Sequence, residues 1–281
     1  RKIESKINPE KTLFVVSSRA QGEGYGAYRH FYGKLTQFYE ARGVSTGEIA
    51  SQVGRHFVGI GGVNSPFIKE ARKFLRVFTE ESAVSRSIFS YEGLVPLALA
   101  GVDIEKFLES GREAKAMCQE ENFEKNPGMR LAKSLEKMVE GGREIFVVLP
   151  EGMEGFGEWW QELVESLWGE EVRTTPITEG ELSSPESYGE NVAFIAVRVG
   201  VAERSSAISR LREAGYPVFE LPRKEAIGGL SYIAEYSTAL SYLMGIDRFR
   251  RLGGAEELSL AEAVGPRLEV VSLAGAVGFE M

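Results

Sequence analysis

The chain has 281 residues, 43% of them hydrophobic and 26% charged, so it can form one large domain or two smaller ones with substantial cores. Its net charge of −8 argues against a nucleic-acid backbone as the main partner. The single cysteine, Cys118, excludes an intramolecular disulfide and suits a reducing cytosol, so we expect a cytoplasmic protein.

Membrane and metal signals are missing from the sequence. The longest apolar run, Leu94–Val102, is too short to cross a bilayer, and the segment RKIESKINPEK at the start has no hydrophobic region typical of a secretory signal. No spaced set of His, Cys and Asp residues suggests a metal. We therefore expect no membrane contact, no metal and no cofactor. The sequence begins without methionine, as a trimmed or processed piece of a longer chain would.

Strands and helices alternate in the first part of the chain. Buried apolar runs predict three strands, Thr12–Ser17, His56–Ile60 and Leu75–Phe78. A helix through about Ala41 and a short helix at Ile68–Phe74 connect them. Helices then dominate from Ile88 to Glu140, with Asp103 as a candidate N-cap.

The second part repeats this alternation. The predicted strands are Ile145–Leu149, Val172–Ile177, Val192–Val199 and Val218–Leu221. The predicted helices are Trp159–Leu167, Ser205–Ala214 and Ile227–Met244. Such alternation is typical of parallel sheets with right-handed crossovers. We predict an α/β protein of two parallel-sheet blocks, residues 1–122 and 123–281.

The loop after the first strand has the composition of an anion site. Its sequence from Ser17 to Gly24, SSRAQGEG, joins a predicted strand to a predicted helix. Glycines allow close backbone approach, and the helix dipole adds partial positive charge. Glu23 would repel a phosphate unless it points away or pairs with Arg19. A plain strand-to-helix turn is the alternative.

The segment Gly155–Pro176, GFGEWWQELVESLWGEEVRTTP, holds a candidate general base. Apolar residues recur at helical spacing from Trp159 to Leu167, and Glu165 falls on the other side of that stripe, one turn before Gly169. A carboxylate at the end of a buried helix can remove a proton if its pKa is suitably tuned. Alternatively, the glutamates of this segment form the solvated face of an amphipathic helix.

These motifs resemble the glucose-6-phosphate isomerase family, above all the isomerase half of bifunctional transaldolase/isomerase proteins. The resemblance runs from about Pro9 to Phe249. It rests on Gln161, Glu165-Ser166, Gly169 and Pro176, on Asn126-Pro127-Gly128, and on the run from Gly93 to Asp103, which is similar to the family's Gly-Leu-x-Pro-x-x-x-x-Gly-x-Asp.

The resemblance implies a fold and a reaction. The fold would be a pair of α-β-α sandwiches of the sugar-isomerase (SIS) type, with the first sandwich incomplete. The reaction would be the interconversion of glucose 6-phosphate and fructose 6-phosphate through an enediol(ate), a step of glycolysis and gluconeogenesis. Glu165 would carry the proton between C2 and C1, and Arg86 would stabilise the enediolate. The residues that would hold the phosphate are Ser18, Arg19, Gly22 and Ser87.

The sequence also departs from the family pattern. Ser85 occupies the place of the family's arginine, with Arg86 beside it, and neither His30 nor His56 matches a ring-opening motif. The family's catalytic lysine segment has no match in the tail Glu256–Met281. A divergent, non-catalytic protein that binds a sugar phosphate or forms a subunit interface is therefore the alternative. A homo-oligomer or a partner chain could supply the missing segments.

Overall fold

Two separate parallel sheets carry the fold in the computed structural model, which describes residues 8–18, 23–80, 87–169, 172–198, 206–221 and 227–251. The chain divides into two units, Arg1–Gly101 and Val102–Met281, with one sheet in each. None of the described helices is long and apolar enough to cross a membrane.

The first unit is built on a sheet of strand order β1-β2-β3. The strands are β1 Phe14–Ser17, β2 Phe57–Gly62 and β3 Arg76–Glu80. Both pairs are parallel, and Ser17 lies opposite Ile60 in the register. The helices are α1 Glu23–Ala41, α2 Thr46–Gly54, α3 Pro66–Glu70 and α4 Tyr91–Leu99, and a short 3-10 turn, Ala71–Lys73, follows α3.

Aromatic rings fill the core between α1 and this sheet. Tyr28 of α1 packs against three phenylalanines, with ring centroids 5.4 Å from Phe57, 5.6 Å from Phe67 and 5.3 Å from Phe74. Burial raises the pKa of Tyr28 to about 12, because the phenolate would lose its hydration there. The large rings give a three-stranded sheet enough apolar area to pack stably.

His56 has the structural role that its position at the start of a strand predicts. Its Nε2 lies 2.7 Å from the Tyr39 hydroxyl and its Nδ1 lies 2.9 Å from the Thr12 carbonyl oxygen. Both ring nitrogens are thus used, and they connect α1 and the segment just before β1 to the residue that precedes β2.

The second unit is built on a sheet of strand order β5-β4-β6-β7. The strands are β4 Glu144–Leu149, β5 Thr174–Thr178, β6 Val192–Ala196 and β7 Val218–Glu220, all paired in parallel. The helices are α5 Ile104–Cys118, α6 Pro127–Glu140, α7 Glu154–Trp168, α8 Ser206–Glu213 and α9 Ile227–Arg251. Pro176 is tolerated within β5 because β5 lies at the edge of the sheet.

Helices α5, α6 and α9 pack closely on one another. A Cβ on Gly228 of α9 would lie 2.1 Å from the carbonyl oxygen of Phe107 in α5, so only glycine permits this approach of the two helices. Asn126 caps α6, accepting from Met129 N at 2.8 Å, and also donates to the carbonyl oxygens of Cys118 and Glu120. These contacts tie the end of α5 to the start of α6.

The predicted α/β class with two parallel-sheet blocks is confirmed, and the described elements follow the predicted ones closely. The short helix α2 was not predicted. The predicted block boundary after residue 122 also differs from the observed division after Gly101. The physical reason is that α5, capped by Asp103, packs on α6 and α9 and therefore belongs with the second unit.

Candidate functional site

The carboxyl edge of the first sheet is where the predicted phosphate loop begins. Ser18 follows β1, is 5% exposed, and donates its backbone N–H to the Ile60 carbonyl oxygen at 3.0 Å. A Cβ on Gly24 would lie 2.2 Å from the Ser17 carbonyl oxygen, and one on Gly61 would lie 2.6 Å from that of Ser18. Glycine is thus required on both sides of the strand end, because a side chain at either position would collide with a backbone carbonyl oxygen.

The amino end of α4 meets the same edge. Glu92, in the first turn of α4, is half-buried and accepts a hydrogen bond from the hydroxyl of Ser17, the last residue of β1. A carboxylate is favoured at this end of a helix by the helix dipole. Its contact with Ser17, 75 residues away in sequence, places a negative group beside the predicted phosphate loop. Glu92 is not among the predicted site residues.

Two buried serines lie at the turn before α4. Ser87 is 6% exposed, and its hydroxyl oxygen accepts from the Phe89 backbone N–H at 3.2 Å. Ser90, the N-cap residue of α4, is 5% exposed, and its hydroxyl has no hydrogen-bond partner among the described residues. A Cβ on Gly93 would lie 2.2 Å from the Ile88 carbonyl oxygen, which explains glycine at the next position of the motif.

Three of the predicted site residues, Arg19, Gly22 and Arg86, lie outside the described residues. Ser18 and Ser87 both belong to the first unit, on the β1 end and on the turn before α4. Glu165 belongs to the second unit. The assignment of these residues to catalysis and phosphate binding stays a prediction.

Glu165 is exposed in the last turn of α7. Its Oε1 accepts a hydrogen bond from Nε2 of Gln161, one turn earlier, at 2.8 Å. The opposite side of α7 is buried, and the Trp160 indole N–H donates to Oγ1 of Thr238 in α9 at 3.0 Å. The helix ends at Gly169, whose φ of 77° favours glycine. The carboxylate therefore sits on a helix held firmly by its apolar face.

Helix α7 lies unusually close to its sheet. A Cβ on Gly157 would lie 2.4 Å from Cδ1 of Leu149 in β4 and 2.6 Å from Cβ of Pro176 in β5. Gly157 of α7 therefore lies directly against Pro176 of β5, which brings two residues of the Gly155–Pro176 segment into contact. Within the described ranges, no group of three or more His, Cys, Asp and Glu side chains could hold a metal ion.

Comparison with known proteins supports the resemblance seen in the sequence. Over 94 residues the chain is 36% identical to the glucose-6-phosphate isomerase of Methanocaldococcus jannaschii, a match that covers 32% of this chain and 23% of that protein. Over 180 residues it is 27% identical to a probable glucose-6-phosphate isomerase of Methanococcus maripaludis, covering 62% of this chain and 39% of that protein. No family model matches the chain.

A solved structure shares the fold. A hypothetical protein of Thermus thermophilus superimposes with a TM-score of 0.70 at 18% identity, over 90% of this chain and 74% of that one. The chain is thus similar, in part and at a distance, to glucose-6-phosphate isomerases. It spans 23% and 39% of the length of the two curated relatives that it matches.

Proposed function

We propose that the protein is a phosphosugar isomerase that interconverts glucose 6-phosphate and fructose 6-phosphate. The observation that carries this proposal is the 36% identity over 94 residues to a protein named glucose-6-phosphate isomerase. The motif with Gln161, Glu165 and Gly169 adds support, since it resembles the family segment that bears the catalytic base.

In the proposed reaction Glu165 acts as the base on the open-chain sugar. Its carboxylate takes the proton from C2 of the aldose, and the C–H electrons form the C1–C2 double bond of an enediolate with its negative charge on O1. The same residue returns the proton to C1, while O2 loses its proton to become the carbonyl oxygen and O1 gains one. Arg86 stabilises the enediolate oxygen by its positive charge.

In the proposed phosphate site, Ser18, Arg19, Gly22 and Ser87 hold the phosphate of the sugar. The position of Ser18 supports this role, because it lies at the carboxyl end of a parallel strand, where ligands of open α/β sheets bind. The close contacts of Gly24 and Gly61 with the carbonyl oxygens of Ser17 and Ser18 support a site where backbone segments come close together. Glu165 is exposed to solvent and accepts a hydrogen bond from Gln161, which supports its availability as a base.

The family's histidine and lysine have no counterparts among the residues of this sequence. Within the proposal, a partner chain supplies those groups, and the reaction takes place in the cytoplasm as a step of glycolysis and gluconeogenesis.

A coupled assay of the full-length protein tests the proposal. Fructose 6-phosphate is the substrate, and glucose 6-phosphate is detected through its NADP-dependent dehydrogenase. We expect turnover that requires no added metal. A protein that produces no glucose 6-phosphate at any concentration of substrate contradicts the proposal.

A non-catalytic sugar-phosphate-binding or subunit-interface protein is the second candidate. Ser85 in the place of the family's arginine and the absence of a matching histidine motif favour it, because both changes affect catalytic groups rather than the phosphate loop. An inactive protein whose melting temperature still rises with fructose 6-phosphate would support binding without turnover.

A further inference from the structure

One hydrogen bond restricts the Glu165 carboxylate. Its Oε1 accepts from Nε2 of Gln161, four residues earlier on α7, at 2.8 Å. Side chains four residues apart lie on the same face of a helix, so the two groups meet without distorting the backbone. An exposed glutamate without such a bond moves among several staggered rotamers. The bond to Gln161 therefore selects one orientation of the carboxylate.

Gln161 donates this bond from a fixed place on the helix. The residue is half-buried, whereas Glu165 is exposed. It follows Trp160, whose side chain is 1% exposed and donates to Thr238 of α9 at 3.0 Å. Val164, three residues after Gln161, is also buried in the core of the second unit. Because the helix is anchored on both sides of Gln161, the amide approaches the carboxylate from one direction.

The neighbouring polar groups leave the other carboxylate oxygen, Oε2, without a hydrogen bond. The Ser166 hydroxyl donates to the Leu163 carbonyl oxygen at 2.7 Å. The Gly169 backbone N–H donates to the main-chain oxygen of Glu165 at 2.9 Å. Across the parts of the chain that the structure describes, no group donates to Oε2. A carboxylate that is bound through one oxygen can accept a proton at the second oxygen.

We propose that Gln161 is a positioning residue for the isomerisation. It holds the Glu165 carboxylate through Oε1, and Oε2 is the oxygen that takes the proton from C2 and returns it to C1. Proton transfer depends on the alignment of the base with the C–H bond, so loss of the hydrogen bond lowers turnover. Gln161 acts through Glu165 and binds no part of the substrate, so KM stays nearly unchanged without it. The inference rests on the proposed function for the identity of the reaction.

Steady-state kinetics of the full-length protein with fructose 6-phosphate test the inference in Gln161→Met and Gln161→Lys. Methionine keeps the length of the side chain and removes the donor, whereas lysine supplies a new N–H donor to the carboxylate. Both residues are good helix formers, so a change in helix stability alone would affect the two variants alike. The matched control is Glu158→Met, at an exposed position on the same helix.

We expect kcat to fall about tenfold in Gln161→Met, with KM within about twofold of wild type. Gln161→Lys should recover kcat to within about threefold of wild type, because its ammonium group can donate to the carboxylate. Glu158→Met should keep wild-type kcat. Wild-type kcat in Gln161→Met would overturn the inference, as would a kcat in Gln161→Lys as low as that in Gln161→Met. If Gln161→Met does not fold, Gln161→Leu serves as the second variant, with the same expectations.

Crystal structures of wild type and Gln161→Met separate this inference from the proposed function. We expect Glu165 in one conformation, bonded to Gln161, in the wild type and in several conformations in the variant. A single, unchanged conformation of Glu165 in Gln161→Met would overturn the inference even where the wild type is active. A wild-type protein without turnover would contradict the proposed function. Loss of the single conformation in Gln161→Met would then still support the hold of Gln161 on Glu165.

Discussion

Replacing Asn126 by alanine should destabilise the second unit more than any exposed substitution. The asparagine side chain is 1% exposed, accepts from Met129 N at 2.8 Å, and donates to the carbonyl oxygens of Cys118 at 2.8 Å and Glu120 at 2.9 Å. Each such bond contributes about 0.5–1.5 kcal/mol, and an N-cap about 1 kcal/mol. Because Asn126→Ala removes all three bonds and leaves the Cys118 carbonyl without its donor, we expect a loss of about 2–4 kcal/mol.

Urea unfolding followed by tryptophan fluorescence measures this loss. All three tryptophans, Trp159, Trp160 and Trp168, lie on α7, so the signal reports on the second unit. Asn122→Ala is the matched control, because its exposed Oδ1 accepts one bond, from Glu124 N at 3.0 Å, and should cost less than about 1 kcal/mol. An Asn126→Ala protein as stable as Asn122→Ala would refute the reasoning.

Two further predictions concern packing and pH. Gly128→Ala would place a Cβ 2.5 Å from the Tyr236 ring and 2.8 Å from the Cys118 sulfur, whereas Gly155→Ala, also at the second position of its helix, meets nothing within 4 Å. Gly128→Ala should therefore be about 1–3 kcal/mol less stable than Gly155→Ala in the same urea assay, and equal stability would contradict the close contact. Because the pKa of Tyr28 is raised to about 12 in the folded protein, this tyrosine ionises at lower pH in the unfolded chain, and the folded protein should lose stability between pH 10 and pH 12. Melting temperatures measured across this pH range should fall less steeply for Tyr28→Phe than for wild type. An equally steep fall in the variant would contradict the prediction.

Apolar periodicity alone identified most of the secondary structure. β4 is Glu144–Leu149 where Ile145–Leu149 was predicted, because a buried strand in a parallel sheet is a continuous apolar run. Helix α2, Thr46–Gly54, was not predicted, because it buries only Ile49, Val53 and Gly54 and so shows little apolar periodicity. Helix α5 belongs to the second unit because it packs against α9. Local sequence patterns do not predict such a contact between residues far apart in the chain.

The candidate site was predictable only in part. That Glu165 faces away from the apolar stripe of α7 followed from helical spacing, and the structure places it on the exposed side. The contact of Ser17 with Glu92 could not be predicted from the sequence, because the two residues are 75 positions apart and meet only through the fold of the first unit. Glu92 gives a weak local signal, an acid in the first turn of a helix, which is as typical of simple capping as of a site.

The most direct test of the proposed function is the turnover of fructose 6-phosphate by Glu165→Gln. Glutamine keeps the helix and the side-chain volume but removes the base, so turnover should fall by about 10²–10⁴-fold. Glu158→Gln, an exposed glutamate on the same helix, should retain wild-type turnover, and both variants should stay within about 0.5 kcal/mol of wild-type stability. Wild-type turnover in Glu165→Gln would contradict its role as the base.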